Sequence, residues 1–281
     1  MNGVRVGVAD WRLHLRGWHA VDLAARVGAD GVHLDLGGPG RGPRIDRRGA
    51  LAHLRRRSEE TGVAVLALTA NVLNDIGLTA EPGGTDALRV RRILIRLMDA
   101  GHALGAPLVF VPSFRRSAIG GPSDLRRTID VLRWAAPEAA ARGLLLASEN
   151  VLAPDQAGEL VEGVGSPVFR LLLDTWNPRA AGVDPLPLVR DAAPHWADQV
   201  HLKEADGGTV GRAPLGRGHP PAADVLRALT DHGVRIGALV LENDYRDGDT
   251  ARLAHDTATA RRYADALPGP RPTEPLPEEA R

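Results

Sequence analysis

Cysteine is absent from all 281 residues, which rules out disulfide scaffolds, thiolate metal sites and cysteine nucleophiles. Aromatic residues are scarce at 4%, so a core must be built from Leu, Val and Ala. No apolar run approaches the ~18 residues that span a bilayer. The opening segment, MNGVRVGVADW, lacks the basic-then-apolar pattern of a secretory leader. Neither sign of charge is in excess, with Lys+Arg and Asp+Glu both at 35, so no bulk attraction to nucleic acid or an anionic membrane is expected. The basic run Arg55, Arg56, Arg57 falls in a helical stretch and reads as a solvated face. These absences predict a soluble, cytoplasmic protein with neither nucleic acid nor membrane as a partner. Homo-oligomer formation stays open.

What is present is a repeated alternation. Hydrophobic residues make up 43% of the chain, enough for a large core, and the length suits one α/β barrel better than two domains with a linker. Short β-type runs are expected at Val4–Ala9, Gly31–Leu36, Val63–Ala67, Leu108–Val111, Leu144–Ser148, Phe169–Leu173, Gln199–Lys203 and Leu239–Leu241. Most are near-continuous Val/Leu stretches, as a parallel strand reads when both faces are buried. Helical stretches lie between them, at about Trp18–Val27, Arg48–Thr61, Thr85–Leu104, Pro122–Arg142, Pro154–Glu162, Pro185–Ala193, Ala222–His232 and Thr250–Ala266. Several of them stop at a glycine, as at Gly62, Gly105, Gly143 and Gly233.

Such β-then-α units form either a closed barrel or a doubly wound open sheet. The open sheet announces itself with a glycine fingerprint after the first strand, and here that position reads Ala9-Asp10-Trp11-Arg12. The expectation is therefore a single (β/α)8 TIM barrel over residues 1–266. The last stretch, 267–281 (LPGPRPTEPLPEEAR), is rich in Pro and charge and reads as a disordered tail.

Barrel active sites sit at the C-terminal ends of the strands. Charged residues stand there directly after aliphatic runs: Glu149 after LLLAS, Asp174 after RLLL, and Glu242 after LVL. The seventh strand, QVHLKE, contributes His201 and Lys203. Burying one such group is costly unless it is paired or bound to metal. Any one of them alone can be a strand-end cap or an ion-pair partner. Together, three carboxylates and an imidazole on successive strands repel one another unless a cation lies between them. The set Glu149, Asp174, His201 and Glu242 is thus expected to hold one divalent metal ion. Three oxygen donors and one nitrogen suit Mn²⁺ first, with Mg²⁺, Co²⁺ or Zn²⁺ as alternatives.

This pattern resembles the xylose isomerase-like barrel superfamily of sugar phosphate isomerases and epimerases. The resemblance covers about residues 4–265. Its pieces are GADGVHLDLGG, LASEN, LLLDTWN, QVHLKEADGG, PLGRGHPP and LVLEND. It implies that Glu149, Asp174, His201 and Glu242 are the metal ligands and that Glu149 and Glu242 also form the catalytic acid/base pair. Two positions depart from the ketose-epimerase branch. That branch commonly has His three residues after the metal Asp, where this chain has Asn177. It often has an Arg soon after the strand-seven His, where this chain offers only the more distant Arg212 and Arg217. A three-zinc nuclease site, another arrangement within the superfamily, would need more strand-end histidines than this chain has.

The implied chemistry is metal-assisted epimerisation or isomerisation of a sugar, sugar phosphate or related polyhydroxy carbonyl compound through an enediolate. A dehydratase using the same enediolate and a non-catalytic sugar-binding barrel are the alternatives. Candidate substrate contacts are Asp35, Asn71, Trp176, Asn177, Lys203, Arg212 and Arg217. His33 and Asp35 share a strand face, so Asp35 reaches either the rim, where it contacts substrate, or an internal salt bridge. Lys203 can hold an anionic group or pair with a neighbouring carboxylate such as Glu204. Trp176 can pack on an apolar sugar face or within its own loop. Arg115 and Arg116, with Arg212 and Arg217, suit an anion.

Overall fold

The computed structural model describes residues 3–218 and 221–268. The strands, in chain order, are β1 (Arg5–Ala9), β2 (Gly31–Asp35), β3 (Ala64–Thr69), β4 (Leu108–Pro112), β5 (Leu145–Glu149), β6 (Phe169–Asp174) and β7 (Trp196–Leu202). A two-stranded ribbon follows, β8 (Ala205–Asp206) with β9 (Thr209–Val210), and then β10 (Ala238–Leu241). The helices are α1 (Trp18–Arg26), α2 (Arg48–Thr61), α3 (Leu73–Ile76), α4 (Thr85–Leu104), α5 (Pro122–Ala140), α6 (Pro154–Val164), α7 (Asn177–Ala180), α8 (Pro185–Asp191), α9 (Ala222–Asp231) and α10 (Thr250–Ala266).

The barrel closes in the order β1-β10-β7-β6-β5-β4-β3-β2, with every barrel pairing parallel. β1 bonds both β2 and β10, so the first and last barrel strands are neighbours, as a (β/α)8 barrel requires. All strand C-termini therefore share one face. The elements expected from the sequence are present with ends shifted by up to three residues. The short helices α3 and α7 and the β8–β9 ribbon have no hydrophobic period long enough to show in the sequence. They belong to loops at the C-terminal face.

Helices pack through apolar stripes. On α4, Val90, Leu94, Leu97 and Met98 are fully buried, and truncating Leu97 to Ala would cost about 2–5 kcal/mol. The helix ends carry glycine in the left-handed region, at Gly62 (φ 74°) and Gly105 (φ 68°), as their positions in the sequence suggest. Inside the barrel, Leu66 fills the space beside β1 and β2. A Cβ on Gly31 would lie 2.5 Å from Leu66 Cγ, and one on Gly7 would lie 2.7 Å from Leu66 Cδ1. Both positions need glycine for that close approach.

Of the expected tail, Leu267 is buried and follows directly on α10, while residues 269–281 lie outside the described residues, as do His219 and Pro220 of PLGRGHPP. Among the described residues, no helix is long and apolar enough to cross a membrane.

Candidate active site

Glu149 and Asp174 are the last residues of β5 and β6, His201 is the penultimate residue of β7, and Glu242 directly follows β10. Parallel register brings them close along the rim, with Glu149 level with Leu172, two residues before Asp174. Asp174 pairs with His201 across β6–β7, and the backbone N–H of Glu242 donates to Leu202 O at 2.9 Å. The four side chains are buried, and one donor atom from each lies within 4.8 Å of the others.

Each carboxylate is tied back by one oxygen. Asp174 Oδ1 accepts from the backbone N–H groups of Trp176 (2.8 Å) and Asn177 (2.6 Å). Glu242 Oε1 accepts from Trp11 Nε1 (2.8 Å) and Arg12 Nε (3.1 Å). Glu149 Oε1 accepts from Asn177 Nδ2 at 2.9 Å. The atoms left facing the centre include Asp174 Oδ2, His201 Nδ1 and Glu242 Oε2, which are buried and have no hydrogen-bond partner. Lys203 Nζ approaches two of them, at 3.0 Å from Asp174 Oδ2 and 2.5 Å from Glu242 Oε2, as ion pairs outside hydrogen-bond geometry. Three converging atoms without a hydrogen bond, only two of them beside an ammonium, fit a further cation, and buried groups left this way are otherwise rare.

The electrostatics match the crowding. Burial pushes the Asp174 carboxyl up to about 6, with Lys203 opposing and Glu242 and Glu149 reinforcing. Burial also pushes Glu242 upward, but Arg12, Lys203 and His201 outweigh it and hold this carboxyl well below the usual range. For His201, burial favours the neutral ring, yet Glu149 above all, with Glu242 and Asp174, raises its pKa.

Behind His201 runs a buried relay. Gln199 Nε2 donates to Leu66 O (3.0 Å), which leaves Gln199 Oε1 to accept from His33 Nε2 (2.6 Å). Burial, with His201 alongside, lowers His33 to about 3, so its ring is neutral and Nδ1 is an acceptor. His33 Nδ1 lies 3.1 Å from His201 Nε2, which must donate to it. Neutral His201 therefore presents the Nδ1 lone pair to the cluster.

Above the cluster opens a cavity of about 470 Å³. Asp35, Asn71, Asn177, Glu149 and Glu242 line it, and so do Trp11, Arg12, Arg16, Arg41, Arg115 and Arg246. Asn71 Nδ2 is buried without a partner, ready to donate to a ligand. Asp35 reaches the rim and forms no salt bridge among the described residues. It accepts backbone N–H groups from Asn71 (3.0 Å) and Gly37 (3.4 Å), while His33 turns inward to Gln199 and His201.

Other expected contacts lie elsewhere. Lys203 sits beneath the carboxylates and pairs with Asp174 and Glu242, not with Glu204. Glu204 instead accepts the backbone N–H groups of Gly216, Gly218 and Ala222. That clamp, with Asp256 accepting from Leu215 N, folds the loop down, and Arg212 and Arg217 are exposed and do not line the cavity. Trp176 is half-buried beside the cavity rather than in its wall, and Arg116 is exposed and pairs with Asp86. The sequence pattern does not single out Trp11 and Arg12, although they lie two and three residues past the end of β1, on the loop face where the other strands deliver their charged residues.

The model of the xylose isomerase-like TIM barrel family matches residues 21–266. The chain is 52% identical over 260 residues to 2-epi-5-epi-valiolone 7-phosphate 2-epimerase from an Actinoplanes strain, covering 92% of this chain and 94% of that protein. Its fold is similar to that of D-psicose 3-epimerase from Clostridium cellulolyticum H10, solved with D-tagatose, with a TM-score of 0.75 at 15% identity over 94% of this chain and 99% of that one. It is also similar to the IOLI protein solved with a zinc atom, with a TM-score of 0.71 at 17% identity over 93% and 96% of the two chains. The chain belongs to the xylose isomerase-like TIM barrel family and is an enzyme of its isomerase and epimerase kind.

Proposed function

We propose that the protein is a divalent-metal-dependent epimerase of a phosphorylated polyhydroxy ketone, acting at the carbon next to the carbonyl through an enediolate. The observation that carries this reading is the convergence of Asp174 Oδ2, His201 Nδ1 and Glu242 Oε2, with Glu149 beside them, at the floor of a polar cavity. The substrate class follows the Actinoplanes relative, whose name specifies a 7-phosphate and inversion at carbon 2.

Glu149, Asp174, His201 and Glu242 would hold the metal, with Mn²⁺ favoured by the oxygen-rich donor set. A divalent ion there supplies Lewis-acid polarisation of the substrate carbonyl and offsets the negative charge that develops on its oxygen. The chain's own residues do the rest. One of Glu149 and Glu242 removes the proton next to the carbonyl, and the other returns one to the opposite face of the same carbon. Asn177 fixes Glu149 from one side, while Trp11 and Arg12 fix Glu242 from the other. Lys203 donates to Asn177 Oδ1 at 3.0 Å, which orients the amide that holds Glu149. The Trp11 ring packs beside the fully buried imidazole of His201, with ring centroids 5.9 Å apart.

The test is turnover in heavy water. Protein stripped with a chelator and reloaded with Mn²⁺ should convert a cyclic polyhydroxy ketone phosphate into its epimer with one deuterium at the inverted carbon. Loss of water from the product would replace this reading with dehydration. Turnover unaffected by chelation would remove the metal from it.

A further inference from the structure

The cavity wall is chemically lopsided. Glu149, Asn177 and Glu242 lie on the β5–β10 side, while Arg16, Arg41 and Arg115 come from the loops after β1, β2 and β4. Of the five arginines in the wall, two are already committed. Arg12 bonds Glu242, and Arg246 makes a two-pronged pair with Asp244 at 2.7 Å for each contact. The other three are under-neutralised. Arg41 and Arg115 share a single carboxylate, Asp75, at 2.5 and 2.8 Å. Arg16 has neither a hydrogen bond nor an ion pair among the described residues. Its stem lies along the β2 loop, and a Cβ on Gly42 would sit 3.4 Å from Arg16 Cγ. Asp35, deeper in the cavity, feels both Arg41 and Arg16 through space, but its oxygens serve the backbone N–H groups of Asn71 and Gly37. Asp10, also buried, feels Arg16 in the same way, and its oxygens serve the backbone N–H groups of Gly17 and Asp35. The three guanidiniums thus have one carboxylate, Asp75, in direct contact among them.

The backbone supplies a second, independent sign. Arg115 has φ 55° and is the non-glycine residue with positive φ among the described residues. That conformation is strained for an ordinary side chain and open to glycine. The surrounding loop enforces it. Phe114 N donates to Asn74 Oδ1 (3.1 Å), Ser117 Oγ donates to Leu73 O (2.7 Å) and Leu78 N donates to Ser117 Oγ (2.8 Å). Strain held by a network in this way clusters at active sites and ligand clamps, and here it falls at the cavity lip.

We propose that Arg16, Arg41 and Arg115 form the seat for the phosphate of the substrate, opposite the carboxylate cluster that handles the carbonyl end. A phosphate monoester carries about −1.5 to −2 charge at neutral pH and offers three acceptor oxygens, which matches three fork-shaped donors that have one directly paired carboxylate among them. The seat rests on the epimerase reading of this cavity. It adds a direction: the phosphate points to the β1–β4 side and the reacting carbon to the β5–β10 side. A molecule anchored at both ends is held still for proton transfer, so part of the phosphate's binding energy appears as correct positioning of the reacting carbon.

The experiment compares one ketone with and without its phosphate, using the metal-loaded enzyme and the variants Arg16→Met, Arg41→Met and Arg115→Gly. A hydrogen bond to a charged group contributes about 1.5–3 kcal/mol, roughly 10- to 150-fold. KM for the phosphate ester should therefore rise in Arg16→Met and Arg41→Met by at least ~10 times the factor seen for the unphosphorylated ketone. Arg115→Gly should show the same split and also gain thermal stability, because glycine relieves the strained φ while removing the guanidinium. Inorganic phosphate should compete with the ester in wild type and compete ~10-fold less well in Arg16→Met. Equal KM changes for both ketones, or phosphate that binds without competing, would overturn the seat. If wild type turns over neither ketone, the epimerase reading fails. The seat is then judged by calorimetric titration of inorganic phosphate, where equal affinity for wild type and Arg16→Met rejects it.

Discussion

His33 Nδ1 stands 3.1 Å from His201 Nε2, inside the barrel and beneath the carboxylate cluster. The contact has a fixed polarity. Gln199 uses its amide N–H on Leu66 O, so its oxygen claims the His33 Nε2 proton, and the neutral His33 ring can only accept at Nδ1. A backbone carbonyl on β3 thereby dictates which nitrogen of a β7 histidine is bare. Partners of this kind raise ligand basicity and hold ring orientation.

Replacing His33 should therefore weaken metal binding without touching a ligand. Calorimetric titration with Mn²⁺ should show His33→Phe losing about 10- to 100-fold in affinity, the usual scale for losing such a partner. His33→Asn can place an oxygen near the position of Nδ1 and should recover much of that loss. Equal affinities for wild type and His33→Phe would show that the relay is packing alone.

Lys203 is the positive charge already inside the cluster, within 3.0 Å of Asp174, Glu242 and Asn177 oxygens. Lys203→Met leaves those carboxylates buried with fewer counter-charges, a change that costs about 3–5 kcal/mol when one member of a buried pair is lost. The metal-free variant should melt roughly 5–20 °C below wild type. Mn²⁺ restores positive charge at the same place, so the metal-induced rise in melting temperature should be larger in the variant. Equal rises in both proteins would sink the idea that Lys203 and the cation balance the same carboxylates.

Asp10, just past β1, gives the stability a pH slope of definite sign. Burial first, then the Asp35 carboxylate, raises it to about 7, although the N–H groups of Gly17 and Asp35 pull it down. In the unfolded chain the group titrates near 3.9, so between these values the folded protein holds the extra proton and each step up in pH lowers stability. Its contribution is full below about pH 4 and is lost as the pH passes about 7. Asp10→Asn removes the titration but turns an amide towards one of the two backbone N–H groups. The variant should melt lower than wild type in acid, and the gap should narrow or reverse at about pH 8. A gap constant with pH would exclude Asp10 as the source of the slope.

The parts of this molecule that could be read from the chain were those with a local signature. Aliphatic runs of strand length gave the barrel, and Glu149, Asp174 and Glu242 stood out because each interrupts such a run with a charge. His33 shows the limit. Its strand face was readable, but its partner is 168 residues away, and only the closed barrel reveals that it meets His201 and not Asp35. Arg212 and Arg217 fail for a related reason. Their loop is folded back by Glu204 and Asp256, a clamp built from side chains on distant elements. Arg16 and Arg41 reach the cavity through loop paths set by glycine turns, for which hydrophobic periodicity carries no information.

The two glutamates carry the most exposed prediction. Glu149→Gln and Glu242→Gln should each lose at least ~10²-fold in epimerisation at saturating Mn²⁺, the usual scale for removing a positioned acid or base. Saturation matters because each carboxylate is also proposed as a ligand, and weaker metal binding alone must not be read as lost proton transfer. The two variants should differ in stability. In Glu149→Gln the amide oxygen can still accept from Asn177 Nδ2. In Glu242→Gln the oxygen can keep Trp11 and Arg12, but the amide NH₂ then points at the Lys203 ammonium where Oε2 lay 2.5 Å away. Glu242→Gln should accordingly melt lower than Glu149→Gln, with the gap narrowing in Lys203→Met, where the clash is absent. Solvent deuterium at the inverted carbon in wild type, and its absence in both variants, is the decisive readout. Full activity in either variant would reject the pair, since a carboxamide cannot take or return the proton that a two-glutamate mechanism requires.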